Sequence, residues 1–252
     1  MGMAAGGVVG LANAFVINRL DVPPIITTLG SYYFVSGLVV VFSGGTDIEG
    51  LPQAFVNLGA GTVFGIPDLI FYGLVIGLIY YVILEHTRFG YNIRAVGGNR
   101  LAAVENGISA IRVDRWLYVG VGAVAALAGI IYTARTQSGQ VGAGGAPVTL
   151  EVVSAVLIGG TSLFGGVGNI TGSLLGAVLF AEIDNALALT NINSLYENMI
   201  VGALVVFAVA ADTFRRRRTL RTLAAGGERS VGMLQMFKKL VAGASRGGGR
   251  HA

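Results

Sequence analysis

The chain has 252 residues, of which 54% are hydrophobic and only 12% are charged, and its mean hydropathy is +0.72. Soluble domains carry roughly twice that charged fraction, so the composition excludes an ordinary soluble domain and indicates a polytopic membrane protein. The net charge of +4 would suggest a nucleic-acid partner in a soluble protein. Here the topology explains the charge, and no nucleic acid is expected. The chain has no cysteine, which excludes disulfides, thiol catalysis and cysteine-bound metals.

Apolar runs follow one another along the chain and predict an all-α bundle of about seven transmembrane helices in the bilayer. The first run carries glycines at four-residue spacing, which allows close helix packing in lipid. The second follows Pro23 and Pro24, and proline is tolerated in the first turn of a helix. The polar segment after the second run, residues 43–65, has no basic residue and is expected outside the cell. The predicted spans are residues 3–17, 25–42, 66–84, 116–134, 150–160, 170–187 and 196–213.

Basic residues are distributed very unevenly between the two sides of this arrangement. With seven spans and an external N-terminus, 16 of the 17 basic residues fall on one side and only Arg135 on the other. Cytoplasmic loops carry the excess of Lys and Arg, so that side is predicted to be cytoplasmic. The run 150–160 is short for a crossing, which needs about 20 residues. The chain is outside before this run and cytoplasmic at its basic end, which requires an odd number of further crossings, and three apolar runs remain. Residues 150–160 are therefore still expected to cross, and the glycine-rich segment after them is expected to turn near the cytoplasmic side.

These boundaries divide the chain into two parts. Residues 1–214 form the predicted transmembrane domain, and residues 215–252 form a basic, flexible cytoplasmic tail that anionic headgroups would hold loosely.

The segment 87–115 is the polar connection between the third and fourth predicted spans. Asn99 can cap the start of a short helix in it, and Gly107 can end that helix. A short helix at the cytoplasmic face would be a docking surface for a partner, although a solvated connector fits the same residues. The segment contains the arginines Arg88, Arg94, Arg100, Arg112 and Arg115.

Catalytic motifs are absent from the sequence. It has no Walker A pattern, nucleophile elbow or paired-histidine motif, so no catalytic residue, cofactor or metal is assigned. Ionisable residues inside spans mark ion relays in pumps. The ionisable residues of the sixth predicted span, Glu182 and Asp184, could line a translocation path or its outer gate. Alternatively, they lie at the membrane boundary in contact with water. The candidate pathway or gate residues are Gly159, Gly160, Thr161, Ser162, Glu182, Asp184 and Asn185.

Four stretches in a fixed order carry a resemblance to a known family. They are residues 23–30, residues 44–52, residues 88–108 and residues 155–168. Together they resemble the permease subunits of sugar ATP-binding cassette (ABC) importers of the ribose/xylose type. The match covers about residues 5 to 214. Members of this family have further helices before the equivalent of residue 5, so the chain is expected to lack N-terminal helices of the full family fold.

The resemblance implies a multi-pass permease in the cell (inner or plasma) membrane that is not itself an enzyme. Two such subunits, identical or different, would form the pathway for a monosaccharide, an extracytoplasmic binding protein would deliver the sugar, and a cytoplasmic ATPase subunit would hydrolyse ATP. The ATPase would act through a coupling segment in the 88–115 loop. By similarity, that segment contains Gly97, Gly98, Asn99, Ala102, Ala103, Gly107 and Ile108.

Three alternatives stay open on the sequence. A branched-chain amino-acid type ABC permease shares the glycine-rich segments, and the ligand of its binding protein would identify it. An ion-coupled secondary carrier would need no ATPase. A shortened chain could also be a remnant that transports nothing. No stretch is a readable sugar site, so the sequence does not identify the sugar.

Overall fold

A computed structural model describes residues 1–63, 65–163 and 165–189, with short pieces between residues 199 and 214. The sixth predicted span falls in this part, the seventh is described only in pieces, and the tail 215–252 lies outside it. The named elements of the described residues are α1 (Gly2–Arg19), α2 (Pro24–Ser43), α3 (Gln53–Ala60), β1 (Thr62–Val63), β2 (Ile66–Pro67), α4 (Asp68–His86), α5 (Arg88–Gly98), α6 (Arg100–Glu105), α7 (Ala110–Thr136), α8 (Ala146–Ile158) and α9 (Ile170–Leu189).

The protein is an all-α, multi-pass membrane protein, as its composition predicts. Helices α2, α4, α7 and α9 are long and apolar enough to cross a bilayer. Helix α8 has 13 residues and is therefore about 20 Å long, against a hydrocarbon core of about 30 Å. The predicted fifth span is therefore helical but too short to cross the core on its own.

Helices α1 and α7 pack backbone to backbone through small residues. A methyl group added at Gly6 would overlap the carbonyl oxygen of Gly122, and one added at Gly122 would overlap that of Gly6. One turn further, Gly10 meets the backbone of Tyr118 in the same way. Close approach of this kind lets dispersion forces hold apolar helices together in lipid, so the predicted role of the small residues in the first span is confirmed.

Several elements differ in extent or position from the sequence prediction. Helix α7 begins at Ala110 rather than at the predicted Trp116. The charged residues between these positions lower the local hydropathy, but they do not interrupt the helix. Helix α4 begins at Asp68 because Ile66–Pro67 pairs with Thr62–Val63 in a β-hairpin. The segment expected to be a polar outside loop also contains α3, whose Val56 and Gly59 are buried.

One end of the molecule, here called the arginine end, is formed by the ends of α1 and α4, the start of α7, and helices α5 and α6. It carries Arg19, Arg88, Arg94, Arg100 and Arg112. The guanidinium of Arg100 donates to Asn18 at the end of α1 over 3.0 Å and to Asp114 of α7 over 2.7 Å. These contacts place the three helix termini at the same end, as the predicted topology requires.

The two segments predicted to lie outside meet at the opposite end of the molecule. Ile48 and Gly139 form an antiparallel bridge, with N–H to O distances of 3.1 and 2.8 Å. The Asp47 carboxylate accepts a hydrogen bond from the Val141 backbone N–H over 2.9 Å. The structure therefore separates the acidic, arginine-poor segments from the arginine end.

Helices α8 and α9 form an antiparallel hairpin whose turn, residues 159–169, lies at the arginine end. Gly159 meets the backbone of Gly172, and Gly176 meets that of Ala155, too closely for a Cβ at any of the three glycines. The turn itself contacts the last residues of α5. The glycine-rich segment thus turns on the same side as the arginine-bearing segment, in agreement with the parity argument.

Candidate functional site

The segment predicted as a loop with one short helix folds as two helices, α5 and α6, ahead of α7. The hydroxyl of Thr87 accepts a hydrogen bond from the Gly90 N–H over 3.3 Å and caps α5. The side-chain oxygen of Asn99 accepts from the Ala102 N–H over 3.1 Å and caps α6. Capping satisfies an N–H group that the helix itself cannot bond. The predicted cap at Asn99 is confirmed.

Helix α6 ends in a Schellman motif centred on Gly107. The Gly107 N–H donates to the Val104 carbonyl over 2.9 Å, and the Ile108 N–H donates to the Ala103 carbonyl over 3.0 Å. Gly107 has φ +83°, a left-handed conformation that glycine adopts without a Cβ penalty. Ile108 then packs back on the core beneath α6. The prediction that Gly107 ends this helix is also confirmed.

The two faces of α6 have different roles. Ala103 is only 5% exposed and packs with Val96, Ala110 and Val113 in a small core between α5, α6 and α7. Leu101 and Val104 point the other way.

The exposed apolar pair is a feature that sequence reasoning missed. Leu101 is 80% exposed and Val104 is 53% exposed, and their i, i+3 spacing puts them on one face of α6. The signal that could have found them is this spacing beside alanines on the inward face. Leu101 and Val104, rather than Ala103, are therefore exposed at the surface of α6.

Two ion pairs fix this surface on the membrane helices. Arg100 and Asp114 pair at 2.7 Å, with 18% of the aspartate side chain exposed, and Arg94 of α5 pairs with Glu85 near the end of α4. Exposed ion pairs of this kind contribute only about 0–1 kcal/mol. These contacts instead orient the helices, because Arg100 joins α6 to α1 and α7, and Arg94 joins α5 to α4.

The end of α5 touches the turn of the α8–α9 hairpin through four glycines, here called the glycine contact: Gly97, Gly98, Gly165 and Gly166. A Cβ at Gly97 would lie 2.8 Å from the Gly166 nitrogen, and a Cβ at Gly165 would lie 2.7 Å from the Gly97 carbonyl oxygen. Gly165 and Gly166 have φ of +82° and +78°. No other residue type fits this approach without moving one of the two backbones.

A cavity of about 420 Å³ lies beside the glycine contact. Its walls include Leu84 and Leu117 from the membrane helices and Thr161 and Ser162 from the hairpin turn. The Thr161 hydroxyl is 3.0 Å from that of Ser173. Gly97, from the predicted coupling segment, lines the same cavity. The structure thus brings part of the predicted gate set against the predicted coupling segment.

The structure does not bring the rest of the predicted gate set to this place. Glu182, Asp184 and Asn185 lie on the far part of α9, and Asp184 is 14 positions after Ile170, about 21 Å along the axis. Glu182 is exposed, and Asp184 is half-buried and lines a smaller cavity of about 210 Å³ with Glu151 of α8. The described residues contain no group of three or more His, Cys, Asp or Glu side chains that could hold a metal ion.

Comparison with known proteins agrees with this architecture. A family model described as the permease component of the branched-chain amino acid transport system matches residues 1–209. The chain is 34% identical to the D-allose transport system permease protein of Escherichia coli, over 84% of this chain and 64% of that protein. It is 34% identical to the L-arabinose ABC transporter permease protein of Azospirillum brasilense, over 86% and 64% of the two chains.

A third relative is the ribose import permease protein of Bacillus subtilis, which is 36% identical over 79% of this chain and 62% of its own length. The chain therefore spans just under two thirds of the length of these relatives. No solved structure matches it.

Proposed function

Because this chain belongs to the family of branched-chain amino acid transport system permease components, we propose that it is a membrane-spanning permease subunit of an ABC importer for a monosaccharide. The names of the similar proteins favour a sugar: they specify D-allose, L-arabinose and ribose. The family description names branched-chain amino acids, which makes that substrate class the main alternative. ATP hydrolysis belongs to a separate ATPase subunit in this proposal.

The exposed pair on α6 is the observation that carries the coupling role. A cytoplasmic ATPase needs a surface that is accessible, partly apolar and rigidly joined to the membrane helices. Leu101 and Val104 are accessible, both ends of α6 are capped, and Arg100 joins α6 to α1 and α7. The arginine end is the cytoplasmic end in this account, because basic residues accumulate on that side of membrane proteins.

The glycine contact supports a route from this surface into the membrane domain. Movement of α5 and α6 would act directly on the turn of the α8–α9 hairpin, because Gly97 and Gly166 meet backbone to backbone. Packed backbones resist compression, so such a contact moves both partners together. Thr161 and Ser162 on that turn are proposed as part of the inner gate, while Glu182, Asp184 and Asn185 belong to the opposite end.

The proposed assembly contains more than this chain. It includes a second permease subunit, identical or different, a cytoplasmic ABC ATPase and an extracytoplasmic sugar-binding protein. Residues 1–214 act as the permease domain in this proposal, and residues 215–252 form its cytoplasmic tail.

Purification of the affinity-tagged full chain from native membranes tests this function. We expect an ABC ATPase to co-purify, together with a binding protein whose bound ligand is a monosaccharide by mass spectrometry. A branched-chain amino acid in the binding protein would favour the alternative substrate class. Transport that persists after deletion of the ATPase gene and collapses with the ion gradient would contradict the ABC assignment.

A further inference from the structure

A second large cavity, here called the polar cleft, opens between α1 and α2 and measures about 400 Å³. Its α2 wall contains Thr28, Ser31, Tyr32 and Ser36, whose spacing of three, four and eight residues places them on one helix face. Asn13 faces them from α1. A volume of this size lies within the range of about 300–1,000 Å³ that is typical of small-molecule sites.

The remaining face of α2 is apolar and open. This face carries Ile26, Tyr33, Phe34 and Val41, which are 62%, 71%, 68% and 76% exposed. Polar side chains inside a membrane are costly against lipid and face the interior or a water-filled cavity. The distribution of residues on α2 therefore turns its hydroxyl-bearing side toward the polar cleft.

Several polar groups in the cleft are available to a ligand. Thr28 and Ser31 donate to carbonyl groups of their own helix over 3.0 and 2.9 Å. The side chains of Asn13, Tyr32 and Ser36 make no hydrogen bond to any other described residue. An amide, a phenol and a hydroxyl together offer both donors and acceptors.

The chemistry of the walls selects the class of solute. None of the described residues that line the polar cleft is charged. A zwitterionic amino acid or an ion would lose its hydration there without a countercharge, which is expensive in a low-dielectric site. A neutral solute with many hydroxyl groups would instead exchange its hydrogen bonds with water for bonds to the walls.

The loop that borders one side of the cleft lies at the end opposite the arginine end, and it is held in place. This loop is residues 140–144, with Val141 bonded to Asp47 and Gly139 bridged to Ile48. The Tyr132 hydroxyl donates to the Gln140 side chain over 3.3 Å. This side of the cleft is thus held by two segments that bind each other.

We propose that the polar cleft between α1 and α2 is where this chain contacts the monosaccharide on its way in from the extracytoplasmic side. The inference rests on the proposed function and adds the place of contact and the residues that make it, chiefly Asn13, Tyr32 and Ser36. The uncharged walls also favour an uncharged sugar over a zwitterionic amino acid as the substrate.

Single-cysteine labelling of the assembled complex tests the proposal, because the chain has no cysteine of its own. Ser36→Cys places a thiol in the cleft. Gly37→Cys is the matched control: it lies at the same depth on the lipid-facing side, where no described residue comes within 4 Å of a Cβ. Each variant is treated with a small, water-soluble, cationic thiol reagent, and uptake of radiolabelled D-ribose, D-allose, L-arabinose and D-galactose is measured. Asn13→Cys on α1 serves as a second cleft variant if Ser36→Cys does not assemble.

We expect the reagent to modify Ser36→Cys and abolish uptake, the transported sugar to slow that modification, and Gly37→Cys to stay unmodified and active. Normal uptake with both cleft cysteines unreactive would overturn the inference and indicate that a further helix fills the cleft. Reaction without loss of uptake would overturn it as well. Failure of the untreated, unmutated complex to take up any of the four sugars would overturn the proposed function, and this inference with it.

Discussion

Replacing Leu101 and Val104 together by glutamate should abolish sugar-stimulated ATP hydrolysis by the assembled complex while leaving membrane insertion intact. Both side chains are exposed at the surface of α6, so the substitution adds two charges without disturbing the core around Ala103. An apolar docking surface loses its complementarity when unpaired carboxylates must be buried against the partner. The measurement is ATPase activity in proteoliposomes at saturating binding protein and sugar.

Leu20→Glu provides the control for this double variant. Leu20 is 63% exposed, immediately follows α1 at the arginine end, and belongs to neither α5 nor α6. It therefore carries the same change of apolar to acidic surface without touching the proposed docking face, and normal stimulation is expected. Equal loss in both variants would indicate a general effect of surface charge, and unchanged stimulation in the double variant would remove α6 from the coupling role.

Gly166→Ala should uncouple the arginine-end helices from the α8–α9 hairpin and reduce uptake strongly. A Cβ at this position would lie 2.8 Å from the Cα of Gly98, so one of the two backbones must move. Overpacking of this kind costs about 1–3 kcal/mol. The left-handed backbone at Gly166 adds about 1–2 kcal/mol for any residue with a side chain. Uptake and the free energy of unfolding in detergent are the two measurements.

Gly45→Ala separates the two contributions. Gly45 has φ +76°, close to the +78° of Gly166, and within the described part of the chain no atom comes within 4 Å of a Cβ there. Gly45→Ala therefore has the same cost of a left-handed backbone as Gly166→Ala but no steric overlap with a second backbone. We expect Gly166→Ala to lower the free energy of unfolding by about 1–3 kcal/mol more than Gly45→Ala and to lose uptake. Equal behaviour of the two variants would show that the glycine contact transmits nothing beyond local backbone strain.

Local chemistry explains which parts of the site could be predicted. The caps of α6 depend on residues within five positions of each other, so Asn99 and Gly107 were readable from the sequence. The side on which the 159–169 turn lies followed from counting crossings and basic residues. Periodicity of small residues likewise indicated the close packing of α1 through Gly6 and Gly10.

Features that depend on distant neighbours could not be read in the same way. Helix α3 lies in a polar stretch, and its buried Gly59 is explained only by the backbone of Ala134 and Arg135 on α7. Gly97 and Gly166 each resemble an ordinary turn glycine until the fold brings them together. The inward orientation of Ala103 similarly depends on α5 and α7 packing beneath α6.

The separation of Thr161 from Asp184 agrees with the predicted topology, which placed the glycine-rich turn near the cytoplasmic side and the acidic residues of the sixth span toward the outside. The antiparallel hairpin places the two residues near opposite ends of α9. Conversely, the hydroxyl-bearing face of α2 escaped notice because its serines and threonines are spread through an apolar run, and the cleft is completed by distant residues such as Asn13 on α1.

Accessibility of a thiol at Asn106 in intact cells tests most directly whether the capped helix α6 faces the ATPase compartment. The cysteine-free chain allows Asn106→Cys beside α6 and Glu49→Cys in the opposite segment to be probed with one membrane-impermeant maleimide. The account predicts labelling of Glu49→Cys in intact cells and of Asn106→Cys only after permeabilisation. Strong labelling of Asn106→Cys from outside would invert the topology and contradict the coupling role of α6.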